Sequence, residues 1–377
     1  MTKRHAEIAG AGIAGLTLAA ALAQRGWSIR VHERSSNLRT FGAGIYIWSN
    51  GLRVLKAVGA YEEAIVGAHE GPEFYTRDHL NETMEEIPVG NKPGGAKLVT
   101  IVRETLLTAL VNAARRAGVE IVTNSEAIGA TPEGELLLAD GSRVKADLVV
   151  GADGINSKVR DSLDLLMYRK PLGYGAVRMM INRADSDVIA EDLPRYLEYF
   201  SGSRRILYTP ASEKDLYIAL CASVEDKAAY QTPIDAALWK ESFPHLGALI
   251  DRFGDAGRWD AFEVLKLKAW SKGRVAILGD GAHAMPPYLG QGGGCALMNA
   301  LGLAVALDEH SDIPTALAAW EARERPMTEH TQDTAERLGD MNYWPDTVRS
   351  DVLKITAQCA QIGAERMKTA RHVPTGT

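Results

Sequence analysis

The sequence predicts an α/β protein in which a dinucleotide-binding domain is interrupted by an inserted antiparallel-sheet domain. Three observations predict it. A glycine-rich turn, GAGIAG at Gly10–Gly15, sits between an apolar strand and a helix. Two later apolar strands end in Asp153-Gly154 and Gly279-Asp280. Between Gly173 and Leu265 the pattern changes to longer alternating strands.

The opening unit reads as strand 6–9, helix 14–24 and strand 28–33, one βαβ unit. In GAGIAG, Gly10 permits the tight turn, Gly12 lets the backbone approach a pyrophosphate, and Gly15 lets the helix pack closely. Ala14 opens the helix, whose N-terminus stabilises phosphate charge. Glu33 ends the second strand, about 20 residues after the turn, where a carboxylate accepts hydrogen bonds from an adenosine ribose. Arg34 beside it is counted with the same site.

A helix over 104–117 leads into a strand at 119–123. Strands follow at 135–138, 143–146 and 147–151, with Asp140 and Gly141 forming a turn. Strands 205–209 and 216–222 are joined by the turn-rich PASEKD. The α/β pattern returns with strand 274–279, a glycine-rich loop, a helix over 294–307 and a further helix after Pro314. The chain end after Val373 is expected to fray. Asp153 and Asp280 stand where open α/β sheets collect ligands, at the carboxyl ends of strands. Each alone also reads as a helix cap or a turn residue.

Composition sets outer bounds. The 377 residues carry a net charge of −6, which excludes a nucleic-acid or anionic-membrane binder that works through a dense basic field. Three separated cysteines, Cys221, Cys295 and Cys359, supply neither a disulfide framework nor a zinc motif, and a reducing cytoplasm fits. No metal is expected. The apolar stretch from Ile8 to Ala23 imitates a secretory signal, but regularly spaced glycines interrupt it and no small-residue cleavage site follows. No other apolar run approaches the ~20 residues that span a bilayer.

With these motifs in order, the chain resembles the single-component FAD-dependent aromatic-ring hydroxylases, the 4-hydroxybenzoate hydroxylase-like family, over nearly its whole length. The resemblance implies a Rossmann-like FAD-binding domain (1–70, 97–172 and 266–377, with C-terminal helices) and an inserted antiparallel-sheet substrate domain (71–96 and 173–265). It assigns FAD to Gly10, Gly12, Ala14, Gly15, Glu33, Arg34, Asp153, Gly279 and Asp280, and to Gly290 and Gly292 in the later loop. Arg103, in IVRETLLTAL, matches the family's flavin-contacting arginine; otherwise it reads as a surface residue at a helix start. NADH or NADPH is the implied reductant, without a dinucleotide fold of its own. Neither a second glycine fingerprint nor a CxxC supports a disulfide reductase.

FGAGIYIWSNGLRVL and RRILYTP resemble the pyridine-ring oxygenases of vitamin B6 and nicotinate breakdown, the 2-methyl-3-hydroxypyridine-5-carboxylate oxygenase and hydroxynicotinate monooxygenase group. A hydroxypyridine carboxylate is the implied substrate, hydroxylated or oxygenatively opened through a C4a-hydroperoxyflavin. By resemblance, Arg205 holds the carboxylate and Tyr217 and Tyr46 line the cavity, with Phe74 or Tyr75 beside them. A hairpin centred near Ala211 makes Arg205 and Tyr217 cross-strand neighbours on one face; Arg204 serves instead if the register slips. An arginine fork suits a carboxylate, although an exposed arginine pair on a strand is the plainer alternative. Tyr217, Tyr46 or a water assists the ring hydroxyl, and Pro287, with Pro286 and Gln291, borders the flavin. His283, inside the Gly-Asp motif, reads as structural.

The partners expected are a small aromatic acid and O2, with no nucleic acid or membrane, for a monomer or homodimer. Rivals are a monooxygenase of carbocyclic phenolic acids, a non-oxygenating flavin oxidoreductase, a halogenase, which lacks its WxWxIP segment here, and a nucleotide-binding regulatory protein.

Overall fold

The computed structural model describes residues 3–38, 43–255 and 257–377. Phe41 and Gly42, near the start of FGAGIYIWSNGLRVL, lie outside them. One six-stranded sheet runs in the order Ser271–Lys272, Val275–Ile277, Leu148–Gly151, His5–Ala9, Ser28–His32 and Glu120–Val122. The five strands from Val275–Ile277 to Glu120–Val122 are mutually parallel. Continuous apolar runs form its middle because helices cover it: Ile13–Gln24, Arg103–Arg116 and Gly292–Glu309 share its core. The short antiparallel meander Ala127–Thr131, Glu135–Leu138, Arg143–Lys145 adds Ala130, Leu136 and Leu138 to that core.

The second sheet has seven strands, in the order Arg258–Leu267, Leu166–Asn182, Asp215–Ser223, Arg204–Pro210, Tyr196–Ser201, Phe74–Arg77 and Thr83–Ile87. It is antiparallel except where Tyr196–Ser201 runs parallel to Phe74–Arg77, an addition to the all-antiparallel expectation. Leu166–Asn182 and Arg258–Leu267 run through positions 172/173 and 265/266, the first with a bulge between Pro171 and Gly175. Long strands thus tie the two sheets together instead of ending at a linker.

Alternation splits the seven-stranded sheet into two faces. The back face carries Leu197, Tyr199, Ile206, Tyr208, Ile218 and Leu220, sealed by Trp239, Phe243, Leu246 and Leu249 from the helical segment 236–253. The front face turns toward the strand pair Gly44–Trp48 and Leu98–Val102.

The hairpin joins the two strands as expected, but its register differs. Arg205 pairs with Cys221 and Tyr217 with Thr209, so the two residues share a face without being neighbours. The turn is centred on Glu213, two residues later than expected, because the pairing continues to Ala211, whose N–H bonds Asp215 O at 2.9 Å. The chain end is docked, contrary to the expected fraying. Pro374 is buried and Thr375 Oγ1 donates to the buried Glu324 Oε1 at 2.8 Å. Among the described residues no helix is long and apolar enough to cross a membrane.

Candidate active site

Three turns converge at the carboxyl ends of the parallel strands. Gly10 has φ +101, and a Cβ there would lie 2.3 Å from Ala152 O, so the GAGIAG turn touches the Asp153-Gly154 turn. At Gly15 a Cβ would meet Gly10 O at 2.1 Å, which is why the helix can start so close. A Cβ on Gly12 would meet nothing within 4 Å, so the space above it is open. The helix behind it has no side-chain cap and no acid in its first turn, leaving its N–H groups for an anion.

Glu33 is half-buried and accepts from Ala11 N–H at 3.1 Å and Ser35 N–H at 2.9 Å, which fixes its carboxylate beside the turn. Arg34 is exposed. Gly279 packs on the start of the first helix, 3.0 Å from its virtual Cβ to Ala14 Cβ, and Gly281 lies against Gly154 O. Asp280 is exposed and makes no side-chain hydrogen bond among the described residues. Asp153 is different. Its carboxylate accepts from Ser157 Oγ, Lys158 N–H and Val159 N–H, so the helix-capping reading describes its side chain and the turn backbone is what faces the glycines. Arg103 is exposed at a helix start, the unfavourable end of the dipole for a cation, and its N–H bonds Ala43 O at 2.9 Å.

The loop after the Gly-Asp turn carries exposed Pro287, then Gly290 at φ +61, and the uncapped helix start Gly292–Gly294. Buried Gln291 accepts from Asn50 Nδ2 at 2.9 Å and keeps its own Nε2 without a partner. His283 is buried, with Nε2 3.1 Å from Asn299 Nδ2, and burial holds its pKa down at about 4. It stays neutral and structural. Open space over Gly12, two uncapped helix starts, a fixed carboxylate and an orphaned buried amide fit an extended dinucleotide with a polar ring system, as FAD is.

Tyr46 joins this loop to the front face. A Cβ on Gly290 would lie 3.1 Å from its ring, and its hydroxyl is 2.7 Å from Thr209 Oγ1. Phe74 and Tyr196 stand around it, with ring centres 5.9 and 5.3 Å away. Tyr75 points to the opposite face, against Arg77 and Arg195, so Phe74 is the residue of that pair on the Tyr46 side. The strand pleat decides this, and a one-residue slip in matching reverses it. Tyr217 packs with Ala43, Tyr174 and Phe262. Burial raises the pKa of both Tyr46 and Tyr217, so each is a neutral phenol near pH 7 and neither is an anionic base.

Arg205 lies on the front face and is 4% exposed, but it is not free: Glu198 Oε1 is 2.9 Å from Nη1 and Cys221 Sγ accepts from Nη2 at 3.3 Å. Arg204 turns to the back and bonds Asp226 Oδ2 at 2.8 Å, which removes the register-slip alternative. Sequence reasoning missed Glu198, Tyr196, Thr209, Cys221 and Tyr288. For the first two a signal was present: YLEYFS at 196–201 alternates Tyr196, Glu198 and Phe200 onto one face.

The family model described as "FAD binding domain" matches residues 4–334. A Rhodococcus erythropolis protein named "Probable 2-heptyl-3-hydroxy-4(1H)-quinolone synthase AqdB2" is 45% identical over 377 residues, covering 100% of this chain and 98% of that one. The 2-heptyl-3-hydroxy-4(1H)-quinolone synthase of Mycobacteroides abscessus is 42% identical over 94% of each chain. Among solved structures, the tetrameric form of 2-methyl-3-hydroxypyridine-5-carboxylic acid oxygenase superposes with a TM-score of 0.88 at 39% identity, covering 99% of this chain and 97% of that one. The chain therefore belongs to the FAD-binding-domain family and is an FAD-dependent aromatic monooxygenase of the 2-methyl-3-hydroxypyridine-5-carboxylate oxygenase type.

Proposed function

We propose that the protein uses NADH or NADPH, FAD and O2 to insert one oxygen atom into a nitrogen-heteroaromatic ring that carries a hydroxyl or oxo group. The observation that carries this reading is the position of Tyr46, backed onto the Gly290 turn on one side and bonded to Thr209 of the front face on the other. A ring lying against that face is held at the edge of the flavin loop. Bound FAD would relay the two electrons of NADH or NADPH and activate O2. The chain's own part is to bind the ring between aromatic side chains, to hydrogen-bond its oxygen through a neutral phenol, and to exclude water.

The ring-bound oxygen is what makes a neighbouring carbon electron-rich. As neutral phenols, Tyr46 and Tyr217 orient that oxygen by hydrogen bonding, and the substrate brings its own electron density. Both the hydroxypyridine carboxylate of the sequence reading and the 4(1H)-quinolone in the relatives' names have this chemistry. The names favour hydroxylation with the ring kept intact, because the product they state is a 3-hydroxyquinolone.

The test is NADH and NADPH oxidation by the yellow, FAD-loaded protein across hydroxypyridines and 4(1H)-quinolones, with mass spectrometry of the product formed under isotopically labelled O2. Ring-dependent stimulation with one labelled oxygen per product is expected. A protein that takes up no FAD, or that is stimulated with coupled product only by carbocyclic phenols, overturns the reading.

A further inference from the structure

Two arginines of the front face, Arg178 and Arg205, each already hold a carboxylate of the chain itself. Arg178 Nη1 donates to Asp260 Oδ2 at 3.1 Å. Arg205 is the deeper one: its side chain is 5% exposed and that of its partner Glu198 is 14% exposed. Their strands are adjacent, and with Phe200 opposite Arg205 and Glu198 opposite Leu207 the pair is a diagonal cross-strand contact, within reach of two long side chains. The rest of the guanidinium is also engaged. Nη2 donates to Cys221 Sγ, and the Tyr288 ring lies 4.8 Å from the guanidinium carbon. Thr76 Oγ1 donates to the other carboxylate oxygen, Glu198 Oε2, at 3.4 Å.

An arginine that receives a substrate carboxylate offers two parallel N–H groups to it. Arg205 has one terminal nitrogen on Glu198 and the other on a sulfur, and its Nε alone is without a partner. A carboxylated ring would have to displace Glu198 or bring a second carboxylate beside it in a site shielded from water. Two carboxylates a few ångströms apart in low dielectric repel strongly.

We propose that Glu198 is a specificity-determining residue: by occupying the anion position on Arg205 it selects an uncharged ring of the 4(1H)-quinolone class and rejects the corresponding carboxylate. The selection rests on the monooxygenase reading above, but the ion pair and its effect on binding are separable from turnover. Arg205 then serves as a fixed, neutralised wall beside Tyr288, and the aromatic side chains of the front face provide the attraction.

The experiment uses the FAD-loaded enzyme with a matched pair of probes, 2-methyl-4(1H)-quinolone and 4(1H)-quinolone-2-carboxylate. Dissociation constants are read from the perturbation of the flavin absorption band, and KM and kcat from NAD(P)H oxidation. The natural chain should prefer the neutral ring by about tenfold or more. Glu198→Gln should tighten the carboxylate by about tenfold while moving the neutral ring much less, and Glu198→Asp should keep the original preference. Equal or tighter binding of the carboxylate by the natural chain overturns the proposal, as does an unchanged ratio in an FAD-loaded Glu198→Gln protein. If the glutamine variant fails to hold FAD, the ratio in the natural chain decides alone. If neither probe nor any other nitrogen heterocycle stimulates NAD(P)H oxidation, the reaction assigned above fails, while the binding ratios still judge Glu198.

Discussion

The two faces of the seven-stranded sheet are built by the same strands, and both are largely buried, yet they are chemically unlike. On Tyr196–Ser201 the back offers Leu197 and Tyr199 and the front offers Tyr196, Glu198 and Phe200. On Asp215–Ser223 the back offers Leu216, Ile218 and Leu220 and the front Tyr217, Ala219 and Cys221. Burial therefore does not separate scaffold from site. What separates them is what covers them: the back, phenols and the Arg77–Asp192 and Arg204–Asp226 pairs included, is closed by the helical segment 236–253, whereas the front turns Tyr217 and the Arg205–Glu198 pair toward the strand pair that carries Tyr46 and borders the Gly290 turn.

The largest effect should come from opening the back. Trp239 is fully buried and its Nε1–H bonds Ala229 O at 3.1 Å, so Trp239→Ala should cost about 3–5 kcal/mol in chemical denaturation. The folded fraction should keep its flavin spectrum and substrate affinity; a variant that stays stable but loses the substrate would break the division of labour.

Acid should weaken the flavin side through buried His283. Folded His283 titrates at about 4 against an ordinary 6.5, so the unfolded chain takes up its proton first as the pH falls. The stability His283 contributes is present above about 6.5 and is lost as the pH falls toward 4, with a limiting slope of about 1.4 kcal/mol per pH unit. Denaturation midpoints at about pH 7 and about pH 5 should show this slope in the natural chain and a flatter one in His283→Gln. His245, exposed at the surface with its ring beside Tyr199 on the back, also has its pKa lowered, chiefly by desolvation. A slope that persists in His283→Gln and disappears in His245→Gln would move the acid sensitivity to the back face.

The smallest effect sharpens the comparison at a single pair of adjacent residues. Phe74 faces Tyr46, and Tyr75 faces the arginines behind. Phe74→Leu should raise substrate KM by about fivefold, the equivalent of about 1 kcal/mol of aromatic contact, and Tyr75→Leu should leave KM within about twofold. The reverse order would place the ring on the wrong face.

Local chemistry made much of this legible. The glycine spacing of GAGIAG, Glu33 after the second strand, and the Asp153 and Gly279 turns are consequences of chain geometry over a few residues, and they lie together in the structure. The two strands around PASEKD were legible too, but their register was not, because a turn centred two residues later, on Glu213 instead of Ala211, moves the partner of Arg205 from Tyr217 to Cys221.

By itself, then, the sequence determined the fold class and the dinucleotide turns, since φ-permissive glycines, helix starts and apolar strands act within their own segment. Tertiary structure alone decided what Arg205 holds, which of Phe74 and Tyr75 faces the site, and that the chain end is fastened to Glu324. Each of those outcomes depends on a partner on another strand or helix, brought within hydrogen-bonding or packing distance only by strand order and register; even Glu198, seven residues before Arg205, reaches it only across their hairpin. The GAGIAG turn carries its meaning in six residues; Glu198 acquires its meaning only when the neighbouring strand sets Arg205 beside it.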